Sequence, residues 1–493
     1  MSTVAAPAMG HSLAPFQGND RLLLGIIMGV VAFWLFAQTT LNIAPDMQRD
    51  LGMDSNTMNN AVALTSLFSG IFIVVMGGLA DRVGRLKITR IGFGLSIAGS
   101  LLVVITPAGA MAGPVLLLGR ALQGLSAACI MPASLALVKA YWDGAARQRA
   151  VSMWSIGSWG GSGLCSLVGG LMSQNFGWRS IFWVAIAVSV LGLWLMRGTP
   201  ESQADTKGNY KFDLPGVLAF MVVMLALQVL VTQGNKLGWT SPAGLGLIAM
   251  TVVFGALFFV IERKSANAFF NFGLFKNLTY TGATISNFLI NGTAGTLIVS
   301  LQLVQLGGGM NAQQAGFLTL GYAVAIIAFI RVGEKLLQRF GPRKPMLWGC
   351  LITGVAAALL MPANLLLGQY KILAVIGYTL FGLGLAFYAT PSTDAALSNL
   401  PAAQSGSGSG IYKMASSLGA AFGVAISAAI FTALAGNSES VRWLEGVITF
   451  TGRQDNLAVR EAAFVALGFN VLMVVLAIVS ILITVPQGKK VQG

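Results

Sequence analysis

Few side chains in this 493-residue sequence can carry proton or charge chemistry, and their placement narrows what that chemistry can be. The only histidine, His11, stands in a polar N-terminal stretch, so no imidazole relay can run through the chain. Cys129, Cys165 and Cys350 all fall in apolar segments, which argues against a disulfide framework or a metal site. No nucleophile stands with a histidine base or a ligand set, so the sequence reads as a non-enzyme without a cofactor. What remains is a handful of charges in or beside apolar runs: Arg120 in LLLGRALQGLSAAC, Asp394 in YATPSTDAAL, Glu334 three residues after Arg331, Asp46 directly after Pro45, and Lys413. A charge inside hydrocarbon costs roughly 2.5–3.5 kcal/mol on insertion scales. Arg120 and Asp394 in particular should therefore face a partner or a water-filled cavity.

The elements that must hold these charges are membrane-crossing helices. Hydrophobic residues make up 55% of the chain, mean hydropathy is +0.77, and apolar runs recur from end to end. At about 20 residues each, such runs are long enough to cross a bilayer core. They predict an all-α polytopic membrane protein with fourteen helices, over 22–45, 60–80, 89–106, 115–138, 150–172, 181–196, 215–231, 245–261, 279–304, 315–332, 346–361, 372–396, 408–434 and 462–485. A net charge of +14 would suit a polyanionic partner, but its distribution explains it otherwise. Of the 30 Lys and Arg, 21 fall on the side that takes both chain ends, 7 on the other, and Arg120 and Arg331 lie within helices. That bias is the positive-inside signal, so both termini are expected in the cytoplasm and nucleic acid is not an expected partner. The first twenty residues lack the basic, apolar and cleavage regions of a signal peptide.

Polar linkers over 197–214 and 262–277 set helices 7 and 8 apart and leave six helices on either side. The organisation expected is a tail (1–20), a six-helix bundle (21–196), linkers with the inserted pair (197–277), a second six-helix bundle (278–485) and a short tail (486–493). Internal echoes support it. GLSAACIMPASLAL in helix 4 is echoed by GLGLAFYATPSTDAAL in helix 12, each a small-residue run leading to Pro132 or Pro391. The small-residue face of helix 5, with Gly157 and Gly161, recurs in helix 13 as Ala415, Gly419, Gly423 and Ser427.

Between helices 2 and 3 stands GGLADRVGRLKITR, where Asp81, Arg82, Arg85, Lys87 and Arg90 place five charges in ten residues. Gly77 and Gly78 would let a helix end pack backbone to backbone, and Gly84 would permit a turn with φ > 0. A basic loop held at one membrane face accounts for the cations, but not for Asp81 or the placed glycines. The order Gly-x-Leu-Ala-Asp-Arg-x-Gly-Arg-x-Lys resembles the helix 2–3 loop of the major facilitator superfamily. Arg-Ala-Leu-Gln-Gly, from Arg120, is similar to that family's helix-4 motif Arg-x-x-Gln-Gly. WSIGSWGGSGLCSLVGG in helix 5 is similar to its antiporter motif, with Cys165-Ser166 where Gly-Pro is usual. FWLFAQ, GRALQGLSAACIMPA, RVGEKLLQ and YATPSTD resemble the 14-helix drug:proton antiporter branch, and within it the NorB-type quinolone exporters, over nearly all of residues 20–485. The aspartate usual in helix 1 of such exporters is absent, with Ala37-Gln38 in that region.

The resemblance implies proton-driven efflux of amphipathic compounds (quinolones, cationic dyes or biocides) across a bacterial cytoplasmic membrane by alternating access. Its partners would be small-molecule drugs, protons and the lipid bilayer, with the chain acting as a monomer; export of one endogenous metabolite or lipid precursor is the competing reading. The expected gating set is Gly77, Gly78, Asp81, Arg82, Gly84, Arg85 and Asp143. Asp81 is expected against the N-terminus of helix 13 around 408–413, where the helix dipole favours an anion, and Arg85 or Arg82 against Asp143. The proton-coupling candidates are Asp394, Arg120, Glu334 and Asp46. Asp46, in water at the outer end of helix 1, should keep a pKa near an ordinary ~4. Basic neighbours should hold Asp81 and Glu334 ionised, the latter by Arg331 along one helix face. Asp394 is preferred, with Lys413 as a competing ion-pair partner, while Arg120 would act by position. Gln38 and Asn42 share a face of helix 1, as Asn287 and Asn291 do in helix 9; such amides serve as helix glue or as cavity lining, and both readings stay open. Phe36, Gln123, Trp154 and Tyr388 complete the candidate substrate cavity. Helices 7 and 8, with little polar matter beyond Gln228, are expected outside the cleft.

Overall fold

The computed structural model describes residues 16–204, 213–310, 312–436 and 438–487, and those residues form helices and connecting turns with no strand. The expected tails lie largely outside the described residues. The helical segments follow one another as fourteen rods. The first six are α1 (Asp20–Val31 with Thr40–Leu51), α2 (Ser55–Val83), α3 (Arg85–Ile105), α4 (Ala112–Tyr141), α5 (Gly144–Ser155 with Gly161–Phe176) and α6 (Arg179–Leu195). Next come α7 (Leu214–Leu237) and α8 (Pro242–Lys264). The last six are α9 (Leu278–Gly292 with Gly295–Gln302), α10 (Ala312–Leu318 with Leu320–Phe340), α11 (Arg343–Leu360), α12 (Leu367–Ser398), α13 (Ser405–Ala435) and α14 (Leu457–Thr484). Eleven stretches among the described residues are long and apolar enough to cross a membrane; α5 and α6, meeting at 116°, qualify only when taken together. The 18-residue α11 opens on Arg343 and Lys344.

Several rods outrun their apolar sequence. α5 begins at Gly144, six residues before the apolar run does, and α1 continues through Pro45 to Leu51, where Gly52 ends it at φ +63°. Hydropathy marks only the part of a helix that meets hydrocarbon, whereas each further helical residue adds a backbone bond whatever its polarity. Midway, α1 is interrupted by a π turn at Ala32–Phe36 and a 3₁₀ turn at Ala37–Thr39. Such turns break the regular i→i−4 ladder and leave carbonyls available to other partners.

Large apolar side chains cover the outside. Leu245, Val252, Val253, Leu257 and Phe259 of α8 are 43–65% exposed, a surface that suits lipid rather than water. Inside, glycines bring backbones together, and the same pairings occur in the first six rods and in the last six. Gly99 of α3 meets Gly119 of α4, with a Cβ at Gly99 falling 2.8 Å from the Gly119 carbonyl; Gly349 of α11 meets Gly384 of α12 in the same manner at 2.6 Å. Gly124 approaches Thr65 O of α2 and Gly382 approaches Tyr322 O of α10. The small faces of α5 and α13 also have matching partners. Gly161 packs on Leu35 of α1, and Gly419 and Gly423 pack on Phe288 and Gly292 of α9.

The two groups touch through α13 against α2 and α4, and through α10 and α12 against α5. Gly77 abuts Gly406, Gly410 abuts Ile73, and Gly160 and Gly163 abut Ile327 and Ala323, so these approaches run from the loop at 77–90 to the middle of α5. α7 leans on α2 and α13, and the buried Gln228 reaches to Gly70, while α8 packs on α7.

The closest approach yields a test. A Cβ at Gly423 would stand 1.8 Å from the Gly292 carbonyl, and an Ala there must force α9 and α13 apart. Overpacking of this kind costs about 1–3 kcal/mol. Gly423→Ala should therefore lower the thermal unfolding midpoint of the detergent-purified protein. Gly255→Ala on α8, with nothing within 4 Å of the new methyl, should leave it unchanged.

Candidate functional site

The densest polar construction joins the first group of rods to the last where α2 gives way to α3. Asp81, in the last turn of α2, is 3% exposed and accepts hydrogen bonds from the Gly406 and Ser407 N–H groups, at 2.8 and 2.9 Å. Those are first-turn amides of α13, which carry no helical partner of their own and present the positive end of the helix dipole. Arg85, itself 4% exposed, donates Nε and Nη2 to Asp81 Oδ1, 3.0 and 2.9 Å away, the oxygen that also accepts from the Gly406 N–H. It also reaches Ala402 O and Ser202 Oγ. α13 starts at Ser405, so the contact falls at 406–407 rather than at 408–413.

Glycines make room for this. A Cβ at Gly77 would stand 2.4 Å from the Gly406 carbonyl, and Gly84 holds φ +129° where the Glu201 carboxylate crosses it. Gly78 is different: its nearest neighbour, Phe269 O, is 3.8 Å from a Cβ there, so it supports no close backbone approach. Glu201 accepts from Leu86 N and Lys87 N and caps α3. Ala204 N donates to Asp81 O, so the segment after α6 clamps the loop from beneath. Arg82 donates to Ala268 O, and Ser407 Oγ donates to Phe269 O, which ties in the segment after α8.

Two sequence expectations are corrected at this end. Arg85 does not pair with Asp143: Asp81 stands four residues before it, and its Oδ1 takes the guanidinium as well as the Gly406 N–H. Nor does Asp394 pair with Lys413. Arg147 of α5 holds Asp394 at 2.8 Å, with Gln148 at 3.5 Å from its other oxygen, and both members of the ion pair are largely buried. α5 begins early enough to carry Arg147 and Gln148 on a helix facing α12, which the apolar run alone could not indicate. Lys139 donates to Ser398 O nearby.

Deeper in, Arg120 is 1% exposed. It donates to Ala37 O at 2.8 Å, Ala61 O at 3.0 Å and Gln123 Oε1 at 2.6 Å. Ala37 lies in the interrupted part of α1, and its carbonyl also accepts from Thr40 Oγ1; Gln123 passes the network on to Ser100. In the last group Asn287 ties α9 to α13 through Tyr412 O and Ser416 Oγ, and Asn291 leans on Asn287. The amide at 287 is thus helix glue. Tyr388, Ser286, Ser392 and Tyr412 form one chain of hydroxyls. Phe36 is buried, Gln38 and Asn291 are half-buried, and Asn42 is exposed. Trp154 is buried, with Nε1 donating to Ser134 Oγ and Lys413 Nζ lying 5.0 Å from its ring centroid. Glu334 pairs with Arg331 as expected, and Asp46 binds Arg49 and Ser173.

Three buried acids escaped the sequence reading. Glu461 at the start of α14 is 1% exposed, and Asp213 and Glu262, at the ends of α7 and α8, are 7% and 4% exposed. Each stands just outside an apolar run and so counted as a loop residue. The available signal was helix length: a rod that outruns its apolar core carries its flanking acids into the packed interior.

The amides on Asp81 allow a direct test. Hydrogen bonds to a charged group contribute about 1.5–3 kcal/mol. Asp81→Asn should therefore speed hydrogen exchange of the Gly406 and Ser407 amides by roughly tenfold or more. Exchange within 457–470 of α14 should not change; unchanged exchange at both places would show that the carboxylate does not hold α13.

Comparison with known proteins follows the same lines. The family model described as Major Facilitator Superfamily matches residues 23–424 and 278–492. The chain is 46% identical over 477 residues to the quinolone resistance protein NorB of Staphylococcus aureus strain MRSA252, covering 97% of this chain and 98% of that one, and equally so to NorB of strain COL. Among solved structures it resembles the proton:xylose symporter XylE (TM-score 0.62, 15% identity, 95% and 96% of the chains covered). It also resembles a bacterial homologue of the iron transporter ferroportin in an outward-facing state (TM-score 0.61, 12% identity, 94% and 98% covered). At those identities the structures speak for the fold alone. The chain is a multi-pass membrane protein that belongs to the major facilitator superfamily of transporters.

Proposed function

We propose that the protein is a proton-driven exporter of amphipathic small molecules, quinolone-like drugs among them, in a bacterial cytoplasmic membrane. The observation that carries this reading is the 46% identity, over nearly the full length of both chains, to proteins named for quinolone resistance. The gate adds to it. A carboxylate seated on a helix N-terminus and an ion pair between opposite groups of rods would seal one end of a central passage. On this reading the fourteen rods are fourteen crossings, arranged as two six-helix bundles (21–196 and 278–485) with α7 and α8 inserted. Positive-inside bias places the 77–90 loop and both termini in the cytoplasm. The bundles rock about a site between them, and the gate closes the cytoplasmic side. Trp154, Gln38, Asn42 and Asn291 line the drug's path, beside Phe36.

Coupling then falls to a carboxylate whose partner belongs to the other bundle. Asp394 is held by Arg147 across that interface. Protonation of Asp394 from the outer cleft removes the attraction and lets the cytoplasmic gate part. Release of the proton inside restores the charge, and the drug-loaded protein closes again. A neutral Asn at 394 cannot take part, whereas loss of Arg147 weakens the latch but leaves the titrating group. Asp394→Asn is therefore expected to abolish export driven by a proton gradient in proteoliposomes while drug counterflow continues. Arg147→Gln should slow export yet keep its pH dependence. Wild-type pH dependence in the Asp394→Asn protein would remove this residue from coupling.

A further inference from the structure

We propose that Lys413 and Trp154 form the anchoring site for the carboxylate of an amphipathic aromatic substrate. The proposal rests on the efflux reading and names the chemical class that the central site selects. Lys413 follows Gly406 and Gly410 on one face of α13, seven and three residues on. Gly406 and Gly410 are the positions that touch α2, so the same face carries Lys413 out of the last group of rods and into the first. From the basic end, Lys413 lies about 12 Å along α13 and Trp154 about 15 Å along α5 at 1.5 Å per residue. Both therefore stand well inside the membrane region, above the Asp81 gate.

Lys413 is 7% exposed, and the nearby acids Asp394, Asp81 and Glu334 are each engaged elsewhere. Asp394 is held by Arg147, Asp81 by Arg85 and the α13 amides, and Glu334 by Arg331. Among the described residues no ion pair includes Lys413, and no acceptor bonds its Nζ. The neighbour it does have is the face of Trp154, 5.0 Å away, with the indole fixed in place by its bond to Ser134. Arg120 offers the contrast: also buried, it donates to two carbonyls and an amide oxygen. Lys413 keeps three N–H donors in reserve.

A buried cation without a counter-charge is costly, and a carboxylate from outside would supply both charge and acceptor. The adjoining indole gives a flat surface for an aromatic ring carried by the same molecule. An aromatic acid or zwitterion meets both features at once. A permanent cation without an acid group would be repelled by the ammonium. The anchor thus selects substrates by their carboxylate, independently of any basic group they carry.

The test uses the full-length protein in lipid nanodiscs and proteoliposomes, with a fluoroquinolone acid and its methyl ester as probes. Wild type should bind and export the acid in preference to the ester. Lys413→Met should weaken equilibrium binding of the acid by roughly tenfold or more, with little change for the ester. Lys413→Arg should restore the acid's preference. An equal effect of Lys413→Met on acid and ester would mean that the lysine only props Trp154, and no effect on either would mean that it meets no substrate; both overturn the anchor while leaving efflux intact. If wild type neither binds nor exports either probe, the efflux reading falls and the anchor falls with it. Thermal unfolding of both variants in nanodiscs separates loss of the site from loss of the fold.

Discussion

A carboxylate held by the buried first-turn amides of a helix is the contact on which the junction between the first and last groups of rods depends. Asp81 belongs to the first group of rods and the amides of Gly406 and Ser407 to the last, so the bonds exist only while the two groups meet. Arg85 depends on the same carboxylate. Removing one member of a buried pair typically costs about 3–5 kcal/mol, because the other is left charged and dry. The glycines serve this arrangement: any side chain at 77 would hold Gly406 off and lengthen both bonds. The segments after α6 and α8 add their own bonds to the cluster through Ser202, Ala204, Ala268 and Phe269. Connections that read as linkers are thereby parts of this cluster.

The buried charges fall into two kinds. Arg120 and Arg85 are tied to several acceptors each, Arg120 within the first group of rods and Arg85 where the two groups meet. Arg120 bonds one carbonyl in the irregular middle of α1 and one in the regular helix α2, so it ties those two rods to α4. Lys413 belongs to the second kind, a cation carried into the opposite group with an aromatic face beside it and, among the described residues, no ion-pair partner. The alternating access proposed above needs both kinds. Satisfied charges define each packed group, and partly satisfied ones leave a differential interaction for ligand or proton to exploit.

The sequence made the architecture legible through hydropathy and through small residues, because bilayer thickness and backbone approach impose direct length and size constraints. Asp81 could be placed on α13 since an otherwise unexplained acid among five charges needed a positive partner. The partners of Arg85 and Asp394 could not be read the same way. Each depended on how far a helix extends past its apolar run: one turn of α2 sets Asp81 under Arg85, and two early turns of α5 set Arg147 against α12. The same cause hid Glu461, Asp213 and Glu262, which look solvated by position and are buried in fact. Tyr412, Ser392 and Ser286 went unnoticed because hydroxyls carry no hydropathy signature strong enough to stand out in a small-residue helix.

The central claim is that the two groups of rods rock about a midplane site and that the Asp81 cluster closes one side. Spin labels at Lys87 and Lys335, both exposed at the gate end, report one opening, and labels at Met111 and Leu366 report the other. Distances measured by pulsed electron resonance in nanodiscs across a pH series test the claim most directly. The account predicts that when the gate-end distance lengthens, the opposite-end distance shortens in the same proportion of molecules. Two distances that stay fixed, or that lengthen together, would contradict it.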